Sequence, residues 1–99
     1  MASISVRCDG DREDAWTCDV TLREGGLDIS RHRVRVGAAD LARFTRGATD
    51  PNALVKASFV FLLERESPTR ILRSFDLTDI NRFFPEYETE IRRRMRLAR

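Results

Sequence analysis

Polar and apolar residues alternate with a period of two through the first third of the chain. Ser3-Ile4-Ser5-Val6-Arg7-Cys8 is one such stretch. Trp16, Cys18, Val20 and Leu22 alternate with Thr17, Asp19, Thr21 and Arg23 in a second. His32, Val34 and Val36 alternate with Arg31, Arg33 and Arg35 in a third. This is the pattern of half-buried strands. A charged turn at 9–14 containing Gly10, and the pair Gly25-Gly26, separate them. The expectation is a three-stranded antiparallel meander over 3–36, with Ile4, Val6, Cys8, Trp16, Cys18, Val20, Leu22, Val34 and Val36 on one face. If paired residue numbers sum to 24, Val6 faces Cys18 and the two cysteines are diagonal neighbours. A two-residue shift would set them opposite each other. A lone three-stranded sheet needs cover on its apolar side.

Beyond Gly37 the period lengthens. Residues 38–46 read as a short helix using Leu41 and Phe44, closed by Gly47. Asp50-Pro51 is a start signal, cap then first helical residue, for a helix over about 51–66. Between Leu54 and Leu63 only Lys56 and Ser58 are polar, so this helix is expected at the centre, covered on most sides. The rival reading makes 57–63 a buried strand, because Phe-Val-Phe favours β structure. Ser67-Pro68 repeats the start signal for a short helix through Ile71, Leu72 and Phe75. Asp76 or Thr78 can cap another, using Leu77, Ile80, Phe83 and Phe84. Pro85 ends it and begins the last helix. That helix carries Glu86, Glu88 and Glu90 early and arginines late, an order that complements its dipole. Glu88–Arg92 and Glu90–Arg94 are spaced for i,i+4 ion pairs. The fold class expected is α+β: a single domain over 1–99, with the sheet at 3–36 and a helical half at 38–97 covering one face.

Composition changes this picture little. Ninety-nine residues suit one domain. The charged fraction is 34%, above the usual ~25%. The net charge is nevertheless only +2, and Lys56 is the one lysine among eighteen basic residues. The visible basic cluster is Arg92, Arg93, Arg94, Arg96 and Arg99. No apolar run approaches the ~20 residues of a membrane helix. The opening Met-Ala-Ser, with charge arriving by Arg7, does not read as a secretory leader. A cytoplasmic location and reduced thiols at Cys8 and Cys18 are therefore expected.

Three stretches occur together: Ala57-Ser58-Phe59-Val60-Phe61-Leu62-Leu63-Glu64-Arg65-Glu66, Ile71-Leu72-Arg73-Ser74-Phe75-Asp76-Leu77, and Phe84-Pro85-Glu86-Tyr87. The combination, over roughly 55–90, resembles a family of small uncharacterised bacterial proteins. The resemblance implies a bacterial source and no particular activity, so it transfers no functional residue.

Candidate chemistry is sparse. Counted from Asp9, an EF-hand loop needs Gly sixth and Glu twelfth; Asp14 and Val20 stand there. The sole histidine, His32, alternates with Val34 and Val36 and reads as a structural residue. A thiol beside it would sit among apolar neighbours, where it is inert. No phosphate-loop, dinucleotide, nucleophile-elbow or HExxH motif is present. Glu64 and Glu66, two apart on a helix, make a poor catalytic pair. No catalytic residue, cofactor or metal site is expected. Arg31, Arg33 and Arg35 line one strand face about 7 Å apart, near the phosphate spacing of a nucleic-acid strand. No aromatic joins them for base stacking, and Asp19 shares the face. Arg92, Arg93, Arg94 and Arg96 form a second patch for nucleic acid or an acidic partner. Tyr87, Ile91 and Met95 make a narrow apolar stripe suited to a homodimer or an unknown protein partner, or else to docking on its own domain. The functional expectation is a small non-enzymatic interaction or self-association module. The alternative is a weak electrostatic nucleic-acid binder.

Overall fold

Each alternating stretch forms a strand. The computed structural model describes residues 2–10 and 14–97. β1 (Ser3–Gly10), β2 (Ala15–Glu24) and β3 (Leu27–Gly37) form antiparallel neighbours. Gly25 and Gly26 turn the chain between β2 and β3 with φ of 60° and 80°, values that glycine adopts without a side-chain clash. The residues at 11–13, in the charged turn weighed above as a calcium loop, lie outside the described residues.

The register between β1 and β2 differs from the expected one by two residues. Ser3 pairs with Arg23 and Val6 with Val20, so Cys8 stands directly opposite Cys18. Their Cα atoms are 4.0 Å apart and the pair is a disulfide. The expectation of two free thiols is thereby corrected. Alternation fixes which face a cysteine occupies, but the hairpin register decides whether two cysteines meet.

A fourth strand joins the sheet. β4 (Ser74–Asp76) lies parallel to β3, giving the order β1-β2-β3-β4 and a mixed sheet in place of the expected meander. The helix expected through Ile71, Leu72 and Phe75 is reduced to one 3₁₀ turn at Pro68–Arg70. A helix so short closes few internal hydrogen bonds, whereas the free edge of β3 offers pairing partners. The Arg33 amide donates to the Arg73 carbonyl at 2.7 Å. The His32 ring reaches the Leu72 carbonyl, also at 2.7 Å.

The helical half covers the inner face. α1 (Ala38–Thr45) ends at Arg46, which takes the left-handed conformation (φ 61°) before Gly47. α2 (Asn52–Leu63) is the central helix, and 57–63 is helical rather than a strand. Pro51 already has helical angles, and Asp50 Oδ1 caps the turn by accepting from the Asn52 amide at 2.9 Å. Leu54, Val55, Phe59 and Phe61 are wholly buried. Ala53, Lys56 and Val60 form its exposed stripe. A 3₁₀ turn at Leu77–Asp79, closed by a reciprocal capping box between Asp76 and Asp79, leads into α3 (Ile80–Phe83). α4 (Tyr87–Leu97) packs against α1 and α2.

Core and polar network agree. Phe59 stacks between His32 and Phe75, at centroid distances of 5.4 and 6.1 Å. The His32 Nδ1 faces a carbonyl, which can only accept, so Nδ1 carries the proton and Nε2 accepts from the Ser30 hydroxyl at 2.8 Å. Burial holds the His32 pKa below its ordinary value, with the nearby Arg73 adding to the effect against the Leu72 hydrogen bond. Among the described residues no buried side-chain polar atom lacks a partner.

Candidate functional site

The strand arginines lie together on the outer face of the sheet, as alternation requires. Each is held by a carboxylate: Arg31 by Asp28 at 3.0 Å, Arg33 by Asp19 at 3.1 Å, and Arg35 by Asp76 at 3.5 Å. The register explains these pairs, since Asp19 is the cross-strand partner of Arg33 and Asp76 that of Arg35. The face is thus a mosaic of paired charges rather than a basic rail.

The helix arginines divide. Arg93 and Arg94 converge on Glu90 at 2.6 and 2.9 Å, and Arg94 also reaches Glu64 on the α2 side at 2.7 Å. Arg93 and then Arg94 hold the Glu90 carboxyl down to about 2. Arg92 pairs with Glu88 at 3.5 Å. Among the described residues Arg96 has no carboxylate partner. Arg99 lies outside them.

Tyr87 and Ile91 are fully buried, and Met95 packs on the same core. Of the two outcomes expected for this stripe, docking on its own domain is the one the structure shows. Tyr87 sits edge-on to Phe44 and Phe61, at 5.8 and 5.3 Å, and its hydroxyl meets Ser58 at 2.6 Å. A narrow stripe suffices here because large rings flank it on both sides.

The apolar surface left over lies elsewhere. Leu62, Ile71, Leu72, Phe75, Phe83 and Phe84 line a groove of about 200 Å³ beside β4. Its walls come from the end of α2, the segment leading to β4, and α3. Leu72 is 51% exposed and Phe83 64%, so two large side chains at the groove face water. The rim carries Glu66 and Arg70, and neither has an ion-pair partner among the described residues. Sequence reasoning missed this surface because it placed Leu72 in a helix. The signal was Ile71-Leu72 next to a strand: in extended chain, neighbours point to opposite sides, so one of the two must leave the core.

The described residues contain no group of three or more His, Cys, Asp or Glu placed to hold a metal ion. None of the helices among them is long and apolar enough to cross a membrane. Comparison with protein-family profiles, curated proteins and solved structures finds no match to the chain.

Proposed function

We propose that the protein is a non-enzymatic association module whose partner, at the groove beside β4, is a second copy of itself. The observation that carries this is the pairing of exposed Leu72 and Phe83 with an unpaired acid and an unpaired base on the same rim. In a two-fold interface residue i meets j and j meets i. One Glu66–Arg70 contact therefore repeats as two, with opposite charges facing, while Phe83 of each copy enters the groove of the other. A standard interface buries about 800 Å² per partner. One groove offers less, so association is expected to be weak.

Sedimentation or light scattering at about 0.5 mM tests this, a range suited to weak complexes. The expected result is reversible dimerisation, abolished by Phe83→Glu. Phe83 is exposed, so the variant retains the fold. Glu66→Arg and Arg70→Glu should each weaken the dimer and together restore it. A monomer at every concentration, or a dimer indifferent to Phe83→Glu, would overturn the reading. Cytoplasmic residence stays within the proposal on one condition. The Cys8–Cys18 bond must be shielded from cellular thiols, a role for its place on the helix-covered face.

A further inference from the structure

A second concavity, distinct from the groove, lies between the C-terminal ends of α1 and α4. Arg43 and Arg46 approach from one helix end and Arg92 and Arg96 from the other, over a floor of Phe44 and Met95. Among the described residues no carboxylate lines it. Two carboxylates stand behind the arginines. Asp40 holds Arg43 at 3.2 Å, and Glu88 spans both helices, reaching Arg43 at 3.7 Å and Arg92 at 3.5 Å with its two oxygens. Arg46 and Arg96 have no acidic partner among the described residues. Four arginines thus line the concavity, with two carboxylates behind them.

The backbone and core steady the cluster. Arg46 is a left-handed non-glycine residue, and its amide donates to Ala42 at 3.1 Å. Arg43 lies 4.7 Å from the centroid of the Phe44 ring, a cation–π arrangement. Like charges lining one concavity repel, and an anion between them removes the repulsion while supplying acceptors. Guanidinium forks match the oxygens of phosphate in spacing and number. The space is about 100 Å³, roughly three waters at ~30 Å³ each. That is room for one tetrahedral oxyanion.

We propose that this concavity binds a phosphate group, with Arg46 and Arg96 as its principal ligands and Arg43 and Arg92 as supports positioned by Glu88. The test titrates inorganic phosphate into the intact protein in about 0.05 M chloride, where screening is weak. Expected are saturable shifts of the Arg46 and Arg96 side-chain N–H resonances. Arg46→Gly combined with Arg96→Gln should weaken binding about tenfold or more. Glycine accepts the left-handed backbone, and an unchanged melting curve will show that the variant folds. A parallel arm adds a single-stranded uridine oligonucleotide. If it shifts the same resonances and phosphate competes with it, the phosphate belongs to a nucleic-acid strand. If only inorganic phosphate binds, the source is a free phosphate or phosphomonoester. Shifts that fail to saturate, or that survive in the double variant, overturn the proposal.

Discussion

Ser58 carries a single hydroxyl proton, and it is donated to the Leu54 carbonyl at 2.8 Å. The Tyr87 hydroxyl at 2.6 Å must therefore be the donor in their contact. Burial also pushes the Tyr87 hydroxyl pKa well above its ordinary value, keeping that proton in place. The two ends of the bond are not equivalent. Ser58→Ala strands a buried hydroxyl and should cost about 1–3 kcal/mol. Tyr87→Phe leaves Ser58 with its carbonyl partner and should cost about 1 kcal/mol. In the double variant no orphan remains, so Tyr87→Phe should recover part of the loss when added to Ser58→Ala. Urea unfolding of the three variants measures this coupling; simple additivity would show that the bond does not hold α4 to α2. Ser58 was visible in the sequence as one of two polar positions, with Lys56, inside an apolar run. Its partner was not, because Tyr87 lies 29 residues away and no local spacing links the two positions.

Elements were legible where local signals agreed. The three alternating strands, the Asp50-Pro51 start of α2, and the Glu88–Arg92 and Glu90–Arg94 pairs of α4 follow from spacing alone, and all form. β4 was hidden because its strand character comes from the edge of β3 rather than from its own three residues. The disulfide was hidden for a related reason, a two-residue difference in hairpin register. β1 is an edge strand with no wholly buried side chain, so the covalent link to β2 has a large share in keeping it paired. The bond spans a sequence separation of 10, and constraining a loop of that size in the unfolded chain stabilises by about 3 kcal/mol. Reduced protein, or Cys8→Ser with Cys18→Ser, should lose about that much in urea unfolding. An unchanged midpoint would mean that β1 is held by its other contacts.

Below pH 7 the whole molecule responds to pH through groups whose folded pKa values lie below their unfolded ones. For His32 the unfolded value is near 6.5 and the folded value lower. The unfolded chain therefore binds the extra proton, and stability falls as pH drops from 6.5 through the folded pKa. Asp28, Asp50, Glu64 and Glu90 are depressed as well, chiefly by hydrogen bonds from Arg31, Asn52, Arg94 and Arg93. Their contribution is present above about pH 4.5 and is lost toward pH 2, where Glu90 itself titrates. Urea midpoints should stay flat from pH 7 to about 9, decline gently from 7 to 5, and drop more steeply below; above about pH 10 the unfolded chain loses the Tyr87 proton that the fold retains, and stability falls again. His32→Gln should remove the gentle part alone. A midpoint constant between pH 7 and 5 would place His32 in contact with water.

The bond from the Arg33 amide to the Arg73 carbonyl closes a loop of forty residues that contains both α1 and α2. The entropy of so long a closure is offset only after those helices have docked. β4 is therefore expected to join the sheet after the β2–β3 hairpin has formed and to open before it. Local opening free energies differ across a fold in this way, so the Arg33 amide should exchange with deuterium sooner than amides paired between β2 and β3. The wall of the groove is thus expected to be less protected than the β2–β3 pairing. A molecule that occupies the groove must then slow that exchange, and the Arg33 amide becomes a clock for occupancy that needs no knowledge of the occupant.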